Sequence, residues 1–145
     1  MSSYADTGLL CSLYAPDGHT ARAIAGLAKR TEPLPIVWLH QLEFRNALRL
    51  RVFRREITVV QRDTSLNAFL ADLAAGILIP VSPPLAAVSL DAERLSALHS
   101  ERLGTLSLDI LHVAAAVVHG SSEFLTFDRR QADLAQSAGL SVPAL

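Results

Sequence analysis

Short apolar runs alternate with longer helical segments along this 145-residue chain, and this order constrains the fold more than any other feature. Such alternation is typical of proteins in which parallel strands form a sheet and helices cover it. We therefore predict an α/β fold with a short, mostly parallel central sheet and helices on both faces. In folds of this kind, ligands bind beyond the carboxyl ends of the strands.

The predicted strands are short and are bounded by charged, glycine or proline residues. They cover residues 4–5, 36–38, 77–81 and 124–127, with a last short strand near 141–142. The predicted helices cover residues 8–14, 21–29, 39–55, 64–75, 110–119 and 129–138, and a further helix begins at Ser89, a suitable N-cap. Pro80 favours an edge position for the third strand, because proline cannot donate to the ladder.

Length and composition predict one domain over residues 1–145. Half of the residues are hydrophobic and 19% are charged, a composition unlike that of disordered chains. The lone Cys11 excludes a disulfide framework and a zinc site built from cysteines. No apolar run is long enough to cross a bilayer and the N-terminus lacks the basic flank of a signal peptide, so we expect a cytoplasmic protein without a membrane span.

Two acidic residues, Asp6 and Asp128, each follow a predicted strand and precede a predicted helix. Taken singly, each is more simply explained as a helix N-cap. Neighbouring strands of a sheet lie about 5 Å apart, so both carboxylates face one crevice if these strands are parallel neighbours. The coincidence of the two positions favours a shared site.

Asp109 and Glu43 extend this candidate site. Asp109 interrupts a nearly apolar segment, where a buried carboxylate needs a partner, although a first-turn acid that stabilises the helix dipole is an equally good interpretation. Glu43 lies early on the first long helix, where a surface salt bridge with Arg45 or Arg49 is the simpler explanation.

Four carboxylates in one place require a counter-charge. Like charges about 4 Å apart repel by about 4 kcal/mol per pair at an effective dielectric constant of about 20. Hard divalent ions with oxygen ligands, chiefly Mg²⁺ or Mn²⁺, match such a cluster and also take substrate phosphates. The four acids therefore predict metal-assisted phosphodiester hydrolysis, in which a bound ion lowers the pKa of a water molecule.

Several segments of the sequence resemble the PIN-domain family, specifically its VapC-type toxins. The segments are YADTGLL at 4–10, LSLDILHVAAA at 106–116 and FLTFDRRQADLA at 124–135, with Gly139-Leu140 after them and Glu43 on the first long helix. The resemblance implies a metal-dependent endoribonuclease, the toxin of a type II toxin–antitoxin system, with an acidic quartet of Asp6, Glu43, Asp109 and Asp128 around Mg²⁺ or Mn²⁺. It implies that Thr126 supports the site through its hydroxyl. It also implies an RNA substrate, a cognate antitoxin that blocks the site and a homodimer.

Arginine is concentrated between residues 44 and 62, where six arginines and one acid give a net charge of +5. Guanidinium groups suit phosphates and carboxylates, so this segment is expected to contact RNA, an antitoxin or a second subunit, or to form a solvated helix face. Arg129 and Arg130 are further candidates for RNA phosphates. No aromatic platform for bases accompanies the arginines, and Trp38 and Phe53 are expected in the core or on a dimer surface.

His112 lies three residues after Asp109, on the same helical face, and is expected to orient or pack rather than to carry a proton.

The sequence motifs of other enzyme classes are absent: the chain has no glycine-rich phosphate loop and no Gly-x-Ser-x-Gly elbow. Two alternatives to a toxin stay open. One is a housekeeping PIN-domain nuclease of RNA processing, and the other is a metal-free protein-interaction module in which the acids only cap helices.

Overall fold

The structure is a computed structural model that describes residues 2–145 as four short strands and seven helices. The strands are β1 (Ser3–Ala5), β2 (Leu34–Ile36), β3 (Leu78–Pro80) and β4 (Glu123–Leu125). The helices are α1 (Thr7–Tyr14), α2 (Thr20–Ala28), α3 (Trp38–Phe53), α4 (Val59–Ala74), α5 (Leu85–Leu103), α6 (Ser107–His119) and α7 (Arg129–Ser137). The predicted order of elements and the α/β class are confirmed.

The strands form two parallel pairs, β1–β4 and β2–β3. Tyr4 lies opposite Phe124 in the first pair, and Pro35 lies opposite Ile79 in the second. Within residues 2–145, β3 pairs with β2 alone, which agrees with the edge position predicted from its proline. The last predicted strand is reduced to one parallel bridge between Glu123 and Ser141.

The imidazole of His40 joins the two strand pairs. Its Nδ1 accepts a hydrogen bond from the Val37 amide at 3.0 Å, so Nε2 carries the ring proton and donates it to the Ala5 carbonyl at 2.7 Å. Burial, together with the nearby His112, lowers the pKa of His40 to about 3, so the ring stays neutral. The His40 side chain therefore links β1 to Val37, the residue that follows β2. In a continuous sheet, backbone hydrogen bonds would make this link.

Side chains alternate along β1 and β4 and so divide the core in two. Tyr4 and Phe124, whose ring centroids lie 5.6 Å apart, belong to a cluster with α5, α6 and α7. Ala5 and Leu125 belong to a second cluster with α1, α3 and α4. Helices therefore cover both faces of the first pair, as predicted.

The predicted start of the fourth helix at residue 64 is wrong, because α4 begins five residues earlier. The Thr58 hydroxyl accepts a hydrogen bond from the Gln61 amide at 3.1 Å, and the Gln61 side chain accepts one from the Thr58 amide at 2.8 Å. This capping box pairs two backbone donors that the helix start would otherwise leave without partners. The second strand also ends earlier than predicted, at Ile36, because Val37 is the N-cap of α3.

The predicted start of the next helix at Ser89 is also wrong. Pro84 precedes α5, and its carbonyl accepts a helical hydrogen bond from the Val88 amide at 3.0 Å. Ser89 therefore lies inside the first turns and does not cap the helix. Neither this 19-residue helix nor another in residues 2–145 is both long and apolar enough to cross a membrane.

Candidate functional site

Asp6 and Asp128 lie at the same end of the β1–β4 pair because the two strands are parallel neighbours, which confirms the pairing expected for these strands. The Thr126 hydroxyl joins the two residues. It donates a hydrogen bond to Oδ2 of Asp6 and accepts one from the Asp128 amide at 2.9 Å. These three residues form one hydrogen-bonded unit at the carboxyl end of the first strand pair.

Both acids are also helix N-caps. Oδ1 of Asp6 accepts a hydrogen bond from the Leu9 amide at 2.7 Å, and Oδ1 of Asp128 accepts one from the Gln131 amide at 3.0 Å. Capping uses one oxygen of each carboxylate, and the second oxygen remains for other contacts. The capping interpretation and the shared-site interpretation therefore describe the same geometry.

The charges of Asp6 and Asp109 are coupled, although α6 delivers Asp109 from elsewhere in the chain. Burial raises the pKa of Asp6 to about 6, hydrogen bonds from Thr126 and Leu9 oppose the rise, and the charge of Asp109 adds to it. Burial also raises the pKa of Asp109, and the charges of Asp128 and Glu43 raise it further. Asp109 is therefore coupled through its charge to each of the other three predicted acids.

Glu43 is held by one histidine and one hydroxyl group. Its Oε1 accepts hydrogen bonds from the Thr7 hydroxyl at 2.9 Å and from Nε2 of His112 at 2.5 Å. The Tyr4 hydroxyl lies 2.8 Å from the other ring nitrogen of His112, Nδ1. Partial burial raises the pKa of Glu43, but the hydrogen bonds from His112 and Thr7 outweigh it and lower the pKa overall. His112 thus orients Glu43, and the expected surface salt bridge of Glu43 with arginine is wrong.

The arginine-rich segment does not form one surface beside the acids. At 3.6 residues per turn, Arg45 and Arg49 lie about 200° and 240° around α3 from Glu43. There they line a cleft of about 210 Å³ together with Arg62 of α4. Arg51 and Arg62 are already paired with acidic side chains. The arginines that do lie beside an acid of the site are the exposed Arg129 and Arg130, which begin α7.

Trp38 and Phe53 do not belong to the core. Their side chains are 60% and 83% exposed. Trp38 lies one helical turn before Leu42 and shares an apolar surface with Leu85 of α5, and these two leucines are 59% and 64% exposed. The core location expected for these two residues is therefore wrong, and the dimer surface stays a prediction.

Three polar residues around the acids were not predicted: Thr7 and Gln131, which contact acids directly, and Tyr4, which contacts His112. Gln131 is 2% exposed, and its side chain lies 3.4 Å from the Thr126 hydroxyl and 3.5 Å from the Asp109 carbonyl. Thr7 and Gln131 each lie close in sequence to a capping aspartate, and that proximity was the available signal. Tyr4 gave none, because a tyrosine in a short strand is typical of a core.

The donor chemistry of the site suits a hard divalent ion, but the acids do not form a closed cage. In residues 2–145, no group of three or more His, Cys, Asp or Glu side chains is arranged so that it could hold a metal ion. Mg²⁺ usually keeps several waters and takes only one or two carboxylates directly. The described hydrogen bonds leave Oε2 of Glu43, Oδ2 of Asp128 and both carboxylate oxygens of Asp109 without a donor. The charges of Asp128 and Glu43 raise the pKa of Asp109, and an incoming hydrated cation would offset that repulsion.

Comparisons with known proteins show a likeness in structure but no match in sequence. No family model matches the chain, and no curated protein matches it. Among solved structures, it is similar to the crystal structure of FitAcB from Neisseria gonorrhoeae, with a TM-score of 0.64 and 18% sequence identity over 98% of this chain and 96% of that one. At this identity the likeness concerns the fold alone, and the fold of this chain is PIN-like.

Proposed function

We propose that this protein is a metal-dependent endoribonuclease and the toxin of a type II toxin–antitoxin system. The observation that supports the proposal best is the hydrogen-bonded unit of Asp6, Thr126 and Asp128 at the end of β1–β4, with Asp109 and Glu43 coupled to it through their charges. The PIN-like fold shared with the FitAcB structure agrees with the VapC-type toxins that the sequence motifs resemble, which favours a toxin over a housekeeping nuclease.

The proposed metal ligands are Asp6, Glu43, Asp109 and Asp128, which would hold Mg²⁺ or Mn²⁺ through one or two direct carboxylate bonds and otherwise through water. When bound, the ion supplies an acidified water molecule and stabilises negative charge on the departing oxygen. Other residues of the chain orient these carboxylates. Thr126 fixes one oxygen of Asp6, and His112 fixes one oxygen of Glu43.

The proposed substrate is RNA, whose phosphates would meet Arg129 and Arg130 beside Asp128. Both side chains are exposed, and the charge of Arg130 lowers the pKa of Asp109, which indicates that the guanidinium lies within reach of the acids. Arg45 and Arg49 lie on the far side of α3, so they suit a distant part of the RNA, the antitoxin or a second subunit.

The proposed partners are a cognate antitoxin that covers the acids and a second copy of this chain. A tail with basic side chains would complement the acidic quartet. The exposed surface of Trp38, Leu42 and Leu85 supports self-association, since exposed apolar clusters with a tryptophan are enriched at interfaces. We place the activity in the cytoplasm, in keeping with the single buried thiol of Cys11, whose pKa burial raises to about 11.

RNA cleavage tests the proposal directly. The wild type, Asp6→Asn and Asp109→Asn are compared on a structured RNA with Mg²⁺ or Mn²⁺, and both variants are expected to lose at least about 100-fold in rate. Glu101→Gln, a change at an exposed acid on α5, is the matched control and should cleave like the wild type. Equal rates for all four proteins would refute the nuclease and favour the metal-free interaction module.

Self-association has its own test. Light scattering of the wild type is expected to give a dimer, and Leu42→Asp should give a monomer, because a charge in the apolar surface is costly to desolvate. A wild type that stays monomeric at every concentration would refute the dimer without affecting the nuclease.

A further inference from the structure

A cavity lies beside the acids, at the carboxyl end of β4. It has a volume of about 350 Å³, within the range of small-ligand pockets. Thr126 forms part of its wall, and the same residue donates a hydrogen bond to Asp6. Ala132, one helical turn after Asp128 on α7, forms another part. The cavity therefore adjoins the proposed cleavage site, yet no acidic side chain lines it.

The cavity contains a stack of planar groups. The rings of His19 and Phe127 are nearly parallel, with an interplanar angle of 20° and centroids 4.6 Å apart. The guanidinium of Arg22 lies over the Phe127 ring, 5.1 Å from its centroid. Arg22 is itself fixed by two hydrogen bonds from Nε and Nη2 to the Leu145 main-chain oxygen, at 3.0 and 2.7 Å. The stack is thus held from several sides, while His19 remains exposed.

Such a stack suits a nucleobase. Bases of single-stranded RNA stack on aromatic and histidine rings and on arginine planes, and this contact is tolerant of base identity. The sequence shows no aromatic platform near the arginine-rich segment, but this one is assembled from the start of α2 and the residue that follows Thr126. A nucleotide presents an anionic phosphate and a flat aromatic base, and the strand end offers Arg129 and Arg130 to the first and the ring stack to the second.

We propose that this cavity is a nucleobase subsite, in which a base next to the cleaved phosphodiester stacks on the exposed ring of His19, which is itself stacked on Phe127. The inference rests on the proposed ribonuclease function, because it assigns the position of one base of that substrate. The alternative role of the stack is to hold residues 142–145 against α2, and the experiment separates the two.

A relocated tryptophan reports stacking directly, since Trp38 is the one tryptophan of the chain. In Trp38→Phe/His19→Trp, fluorescence comes from the platform alone. In Trp38→Phe/His119→Trp, it comes from an exposed position at the end of α6. Each protein, without added divalent metal, is titrated with a mixed-sequence RNA octamer and with an abasic octamer that has the same backbone. The subsite predicts quenching at position 19 by the RNA and not by the abasic chain, with no quenching at position 119.

Affinity gives the second measurement. His19→Ala is expected to weaken binding of the RNA octamer about 5- to 100-fold, His19→Tyr to restore it, and His119→Ala to leave it unchanged. Equal affinity of the wild type and His19→Ala, or equal quenching by both octamers, would overturn the subsite and leave the nuclease standing. Reduced stability of His19→Ala with unchanged affinity would assign the stack to the C-terminal segment. A wild type that neither binds nor cleaves RNA would overturn both proposals.

Discussion

The two strand pairs share one backbone design and differ in what they present. In β1–β4, the Asp6 amide donates to the Leu125 carbonyl at 3.0 Å. In β2–β3, the Val81 amide donates to the Ile36 carbonyl at 2.9 Å in the corresponding position. Each pair is three residues long and parallel. The residue that donates this hydrogen bond is Asp6 in the first pair and Val81 in the second.

Burial differs as well. β1 is buried along its whole length and β4 nearly so, whereas Ile79 and Pro80 of β3 are exposed. The first pair has helices on both faces, which hold its strand end rigidly between two parts of the core. The backbone thus creates a position for a ligand at the end of each parallel strand pair. The side chain placed there decides whether chemistry is possible.

The largest expected effect tests the difference in burial. Phe124→Ala in β4 should lower the free energy of unfolding by about 3 to 5 kcal/mol, because it leaves a cavity where a fully buried ring was. Ile79→Ala in β3 should cost about 1 kcal/mol or less, since that side chain is 43% exposed. Chemical denaturation measures both. Similar losses for the two variants would show that the pairs contribute equally to stability.

The next prediction concerns the His40 side chain, which links the two strand pairs, and its contribution to the free energy of unfolding. His40→Ala should cost about 2 to 4 kcal/mol, because it leaves the Val37 amide and the Ala5 carbonyl buried without a partner. His119→Ala, which removes an exposed imidazole, serves as the control and should change stability by less than about 0.5 kcal/mol. A loss in His40→Ala no larger than in the control would mean that the pairs are held together by apolar packing alone.

The acid at the end of β1 should make stability depend on pH in metal-free buffer. The pKa of Asp6 is about 6 in the folded protein against an ordinary value of 3.8, so its contribution to stability is fully present below about pH 4 and is lost as the pH rises through 6. The gap corresponds to ~3 kcal/mol. Asp6→Asn should flatten the stability profile between pH 4 and pH 7, whereas Asp63→Asn should keep it. An unchanged slope in Asp6→Asn would show that this carboxyl is not desolvated.

Metal should stabilise the first strand end. At 100 times its dissociation constant, Mn²⁺ is expected to add about 2.7 kcal/mol to the free energy of unfolding, because it binds the native state alone. Thermal denaturation with and without Mn²⁺ measures the gain. Asp109→Asn should reduce it and Asp63→Asn should not. No change in the wild type would favour the metal-free module.

Several features were predictable because they depend on local chemistry. The acids at residues 6 and 128 follow apolar runs, and an acid that precedes a helix is recognisable from its neighbours alone. Helix starts were less predictable where two signals competed. Thr58 and Thr64 are both acceptable near a helix start, and only the reciprocal hydrogen bonds of Thr58 with Gln61 decide between them. The same ambiguity placed a helix start at Ser89, where Pro84 in fact precedes it.

By itself, the sequence determined the order of strands and helices, the α/β class and the presence of acids at two strand ends, since these follow from periodicity and capping within a few residues. Only the tertiary structure decided which strands are neighbours, which nitrogen of His112 faces Glu43, and that His19 and Arg22 come to lie on Phe127. Such contacts join residues that are tens of positions apart. The packing of the two cores selects them, and no local pattern carries that information.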